Sequence, residues 1–127
     1  MRRGHLIVTR DYLREHPECV FVFGDNKLRV GKGGAAELRD EPNTYGFITK
    51  KVPTHNDKDY YRPSEYKPVF KEELLKLIFR IKENPEKTFL VSRLGAGLAN
   101  RYHIFEEVIE KELLASLALY ENVEILF

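Results

Sequence analysis

Cys19-Val20-Phe21-Val22-Phe23-Gly24-Asp25-Asn26 opens with five consecutive apolar residues and stops abruptly at a glycine and two polar side chains. A run that is apolar at every position predicts a strand buried on both faces, as in a parallel or mixed sheet covered by helices. Cys19 is the only cysteine, which excludes an intramolecular disulfide and a thiolate zinc cluster. Inside that run it reads as a buried strand residue rather than a nucleophile. Further along, Thr88 to Ser92 repeats the apolar pattern, and Tyr45 to Val52 and Val123 to Phe127 add strands. Before the run, Leu6-Ile7-Val8-Thr9 is short and largely β-branched, as a strand should be.

Helical signals alternate with these strands. Asp11 stands where an N-cap would precede Tyr12 to His16, and Pro17 closes that helix. Gly33 to Leu38 is a glycine-rich entry into a short helix. Phe70, Leu74, Leu77, Ile78 and Ile81 form an apolar stripe over residues 69–81, ended by Asn84-Pro85. Ile104, Phe105, Val108, Ile109 and Leu113 predict a long second amphipathic helix. Strand and helix in alternation predict a three-layer α/β/α domain with a mixed, mostly parallel central sheet, one domain over residues 1–127.

Composition narrows the function. With 43% hydrophobic and 32% charged residues in a chain of 127, disorder and fibrous architectures are excluded. Twenty-one Lys and Arg against 20 Asp and Glu give +1, without the basic surplus of a general nucleic-acid binder, so nucleic acid is not the favoured partner. Residues 1–51 carry ten basic against seven acidic groups (+3), and the rest eleven against thirteen (−2). No apolar run approaches the ~20 residues of a membrane span, and Met1 to His5 leads into no signal-peptide apolar core. The expectation is a cytoplasmic protein with no membrane partner. His5, His16, His55 and His103 share no ligand spacing, so no metal and no cofactor are expected.

Two glycine-containing segments each follow a predicted buried strand: Gly24-Asp25-Asn26 with Gly31-Lys32-Gly33-Gly34, and Gly95-Ala96-Gly97-Leu98-Ala99-Asn100. In α/β sheets ligands sit at the carboxyl ends of the strands. Absent side chains let backbone N–H groups approach phosphate oxygens, and a diphosphate is the natural guest of such turns. Neither segment is a Walker A loop or a complete Gly-x-Gly-x-x-Gly. Asp25 and Asn26 offer hydrogen-bonding groups to a base or ribose, or else serve a turn. Lys50 and Lys51 end a strand facing opposite ways, so one can address the site while the other is solvated. Residues 53–66 form a long polar connection holding His55 and three tyrosines; a segment of that length is commonly functional or mobile.

The order Phe21-Val22-Phe23-Gly24-Asp25-Asn26, Gly31-Lys32-Gly33-Gly34-Ala35-Ala36, Tyr45-Gly46-Phe47-Ile48-Thr49-Lys50 and Ser92-Arg93-Leu94-Gly95-Ala96-Gly97-Leu98-Ala99 resembles the macrodomain superfamily of ADP-ribose-binding proteins, over roughly residues 19–127. It is similar to small stand-alone macrodomain-like proteins of bacteria and phages and to the terminal ADP-ribose protein glycohydrolase type. The resemblance implies binding of ADP-ribose or an ADP-ribosylated macromolecule. Asp25 and Asn26 would lie near adenine and the proximal ribose, Gly33 and Gly34 near the distal ribose and pyrophosphate, and Gly95 to Leu98 around the diphosphate. The glycohydrolase type further implies Lys50 or Lys51 as the catalytic lysine. Its acid/base aspartate position holds Ala99, followed by Asn100, and neither ionises. Binding is untouched by that departure, whereas removal of ADP-ribose from protein or nucleic acid loses a partner group. A third expectation, a protein- or nucleic-acid-interaction module on the same scaffold, draws on residues 53–66 with Arg93 and Arg101.

Overall fold

The computed structural model describes residues 1–127. Five strands, β1 (Arg2–Arg3), β2 (Cys19–Asn26), β3 (Thr44–Lys50), β4 (Thr88–Val91) and β5 (Val123–Ile125), form one sheet in the order β1-β5-β4-β2-β3. Every pairing is parallel, so the expected mixed sheet gives way to a wholly parallel one. The reason lies in the connections. Helices α1 (Arg10–Glu15), α2 (Pro63–Glu83) and α3 (Glu110–Leu117), with a 3-10 turn at Gly34–Leu38, fall between successive strands, and each returns the chain to the same end of the sheet.

The alternation within β2 divides its side chains between two cores. Val20 and Val22 pack with Phe47, Phe89 and Val91, under Tyr66, Phe70, Leu74, Leu77 and Ile81 of α2 and Leu113 and Leu117 of α3. Cys19, Phe21 and Phe23 face the other way, against Leu13 of α1 and Ala36 and Leu38 of the 3-10 turn. Cys19 is buried, as its neighbours predict, and burial pushes its thiol pKa up.

Several boundaries differ from the sequence reading. Leu6 to Thr9 joins no ladder, and the first strand is instead Arg2–Arg3 beside β5. The N-cap of α1 is Thr9, whose hydroxyl accepts from the Tyr12 N–H at 3.1 Å, rather than Asp11. α2 begins at Pro63, six residues before the predicted start, because proline suits a first helical turn and the Arg62 N–H donates to Glu65 at 3.1 Å. The second amphipathic helix is broken: Phe105–Ile109 is a π turn leading into α3.

β3 is an edge strand, and α2 closes it. The buried Glu73 carboxylate accepts the Ile48 N–H at 2.7 Å, and the Tyr66 hydroxyl donates to the Ile48 carbonyl at 2.6 Å. The exposed backbone groups that would invite another strand are thus occupied by side chains. No helix is long and apolar enough to cross a membrane.

Candidate functional site

The sheet order puts β2 and β4 side by side, yet the chain leaves β2 towards β3 on one flank and β4 towards β5 on the other. Such a reversal opens a crevice at the carboxyl ends of the two strands. There the structure has a cavity of about 690 Å³, lined by Gly24, Asp25 and Asn26 from β2, Thr49 and Lys50 from β3, residues 30–36, and residues 92–99 except Leu94 and Ala96. The two glycine segments, about 60 residues apart in the sequence, face one space. Of the expected ligand-binding residues, Gly24, Asp25, Asn26, Gly31, Gly33, Gly34, Gly95, Gly97, Leu98 and Ala99 line it. Ala96 and Asn100 do not. Ala96 is turned onto the core. The Asn100 amide donates to Glu106 at 3.0 Å, and its oxygen accepts the Phe105 N–H at 3.0 Å.

Residues 94–99 are held by few internal bonds. Leu94 N–H reaches the Ser92 carbonyl at 2.8 Å and Ala96 N–H the Arg93 carbonyl at 3.2 Å, whereas the N–H groups of Gly95, Gly97, Leu98 and Ala99 donate to no group of the chain. Four open donors on the wall of one cavity form a nest of partial positive charge. Gly95 has φ +78°, and a Cβ there would lie 2.6 Å from the Ile109 Cδ1. Ile109 ends the π turn, so that irregularity sets the floor of the loop.

The polar groups at the end of β2 are in the opposite condition. Arg39 donates to both Asp25 carboxylate oxygens, at 2.9 and 2.6 Å, and to the Gly31 and Val30 carbonyls, while Asn26 N–H takes a further bond to Asp25 at 2.8 Å. Asn26 itself bonds Val30 and Leu28. Both side chains therefore fasten residues 28–31 to β2. Gly46 of β3 makes this possible, because a Cβ there would overlap the Asp25 carboxylate.

The strand-end lysines separate as their alternation requires. Lys51 turns away onto Tyr61 and pairs with Glu65 at 2.9 Å. Lys50 lines the cavity, is 7% exposed, donates to the Thr54 carbonyl and lies 4.5 Å from the centre of the Tyr60 ring. Burial pulls its amine pKa below the usual lysine value; Asp59 opposes the fall and Arg101 adds to it. Asp59 is itself held by Thr54 at 2.6 Å and the Asn56 N–H at 2.8 Å. His55, also on the wall, contacts the Tyr60 hydroxyl at 3.0 Å. Of the two expectations for residues 53–66, functional or mobile, the structure speaks against the second: Tyr60, Tyr61 and Tyr66 are all buried.

The sequence alone assigns no role in this cavity to Thr49 and Arg39, and it offers Arg93 only as a contact of a protein- or nucleic-acid-interaction surface. Thr49 is the extra residue at a register shift in β3, where Ile48 pairs with Asp25 and Lys50 with Asn26, so Thr49 and Lys50 both reach the cavity and simple alternation does not find Thr49. Arg39 carries no sequence signal, because its partner lies 14 residues away. The wall holds four fixed cations, Lys32, Arg39, Lys50 and Arg93, against the single carboxylate of Asp25, so a chain of net charge +1 presents a locally basic cleft. A second cavity of about 490 Å³ adjoins it through Gly34, Ala35, Ser92 and Arg93; its remaining wall sets apolar Leu6, Val8, Phe21, Leu38 and Leu126 beside polar Thr9, Arg10 and Glu37.

The fold is an α/β protein whose open parallel sheet carries a basic, glycine-walled cavity at its switch point, at the carboxyl ends of β2 and β4. The chain belongs to a family of unknown function (DUF7831), whose profile matches residues 4–100, a span that holds both glycine segments and Lys50. No curated protein and no solved structure matches the chain.

Proposed function

We propose that this cytoplasmic protein binds ADP-ribose or a related nucleotide diphosphate, on a three-layer macrodomain-like scaffold. The observation that carries the reading is the set of unengaged N–H groups at Gly95, Gly97, Leu98 and Ala99, facing the second glycine segment across one basic cavity. Backbone donors hold phosphate oxygens without a basic surplus in the chain. The diphosphate lies along residues 95–99, the base enters the adjoining cavity beside Phe21 and Leu6, and the second ribose points towards Gly31 to Gly34 and Lys50. Because Arg39 occupies the Asp25 carboxylate, this mixed cavity, with an aromatic ring to face the base and polar groups for its edge, suits the base better than the Asp25–Asn26 corner that the macrodomain resemblance implies. Titration calorimetry with ADP-ribose tests this: a saturable one-to-one isotherm is expected, and no heat at high micromolar protein would sink the idea.

A second reading, hydrolysis of ADP-ribose from a modified protein or nucleic acid, is favoured by Lys50. It is buried on the cavity wall, belongs to no ion pair, and has its pKa lowered by burial, which raises the share of free amine. Ala99 supplies no proton, and Asp59, whose charge opposes the fall in the Lys50 pKa, is held by Thr54 and the Asn56 N–H. On an ADP-ribosylated substrate, Lys50→Ala abolishes release and Lys51→Ala leaves it intact; equal activity in both variants rules out the lysine mechanism.

A further inference from the structure

The two cavities share four wall residues, Gly34, Ala35, Ser92 and Arg93, and only Arg93 is charged. Any ligand spanning both cavities passes this side chain. The other cations of the glycine-walled cavity are already engaged: Arg39 by Asp25, Lys32 by Asp40 at 3.5 Å, and Lys50 by the Thr54 carbonyl and the Tyr60 ring. Arg93 differs. It sits just past the end of β4, is exposed, and makes no side-chain hydrogen bond and no ion pair. Its guanidinium carbon lies 4.7 Å from the centre of the buried Phe105 ring. A guanidinium held over an aromatic ring keeps its N–H donors available, since the ring takes up none of them as an ion pair would. Such a fork is preorganised for two oxygens of one phosphate.

We propose that Arg93 is the specificity-determining residue of the site: it grips the phosphate of a ligand that bridges both cavities, and so selects a nucleoside joined to a sugar through a diphosphate over either half alone. The inference rests on the nucleotide-diphosphate reading above and adds to it the residue that demands charge at the junction. The backbone donors of residues 95–99 accept any anion in the glycine-walled cavity. Arg93 supplies what they lack, a full charge located between the two compartments.

The test compares the unaltered protein with Arg93→Gln and Arg93→Lys, using ADP-ribose, adenosine and ribose 5-phosphate as probes in calorimetry, with thermal melting in parallel. Arg93→Gln is expected to weaken ADP-ribose by roughly ten- to a hundredfold, the scale of one lost charge-assisted hydrogen bond, and to leave adenosine binding unchanged, with only the small fall in melting temperature that the lost contact with Phe105 brings. Arg93→Lys restores part of the affinity, since it keeps the charge and loses the fork. Raising salt weakens ADP-ribose less in Arg93→Gln than in the unaltered protein. ADP-ribose affinity unmoved by Arg93→Gln, or a parallel loss of adenosine affinity and melting temperature, overturns the role of Arg93 and leaves the ligand reading standing. Failure of the unaltered protein to bind ADP-ribose overturns both.

Discussion

The two central strands both run out into glycine-containing turns on the same cavity, yet the turns are built on opposite terms. At the end of β2, the polar groups are spent on the protein itself, since Asp25 and Asn26 hold residues 28–31 in place through Arg39, Val30 and Leu28. At the end of β4 the backbone donors are left open and the one charged side chain, Arg93, is in no ion pair. One turn is a fixed wall and the other is the surface that the proposed ligand meets. A polar residue in a glycine turn is thus as readily spent on the fold as left for a ligand, and its hydrogen-bond partners decide which.

The comparison breaks most visibly at Arg39. Its removal leaves the buried Asp25 carboxylate with the Asn26 N–H at 2.8 Å and the half-exposed Arg29 at 3.5 Å, and breaking a buried pair by removing one partner costs several kcal/mol. Arg39→Ala is expected to lower stability by about 3 kcal/mol in urea denaturation; a change no larger than a surface substitution would show that Asp25 is not held as described.

At Gly95 the receptive turn is equally intolerant, for a different reason. Gly95→Ala forces a side chain into the left-handed region and against Ile109, costing about 2 kcal/mol, and it also shifts the open N–H groups, so ADP-ribose affinity falls with stability. Gly97 separates the two effects. A Cβ there meets nothing within 4 Å, so Gly97→Ala keeps stability within about 0.5 kcal/mol while weakening ADP-ribose severalfold through its added bulk beside the donors. Should Gly97→Ala bind as the unaltered protein does, the ligand does not approach this turn.

The smallest effect is on pH dependence. Lys50 has its amine pKa depressed below 10.5 by burial, so between that depressed value and 10.5 the unfolded chain binds more protons than the native one. Stability due to this residue accordingly rises as pH climbs towards 10.5 and is lost as pH falls through the depressed value. Subtracting the urea midpoints of Lys50→Met from those of the unaltered protein across alkaline pH isolates that rise; a flat difference means that Lys50 is solvated.

How far the sequence carried differs by element. The uninterrupted apolar runs of β2 and β4 needed no partner to be read, because burial on both faces leaves its mark on every residue. Leu6 to Thr9 looked equally strand-like, but its apolar side chains line a cavity instead of joining a ladder, and residue type does not distinguish extended chain with a partner from extended chain without one. Arg2–Arg3, polar and two residues long, gave no signal at all. The π turn at residues 105–109 was invisible because one extra residue per turn barely disturbs an apolar stripe. Alternation predicted that only one of Lys50 and Lys51 enters the site, and it is Lys50 that lines the cavity; the register shift that brings Thr49 in beside it left no mark in the sequence. The glycines of both turns were legible, whereas the engagement of Asp25 by Arg39 depended on tertiary contact alone.

The most direct test of the account follows backbone amides by ¹⁵N-resolved NMR while ADP-ribose is added to the intact protein. The N–H signals of Gly95, Gly97, Leu98 and Ala99 are predicted to move together and to saturate at one equivalent, with the Asp25 and Asn26 amides moving least among the cavity residues. Saturation that leaves those four amides in place, or no movement at any ADP-ribose concentration, would contradict it.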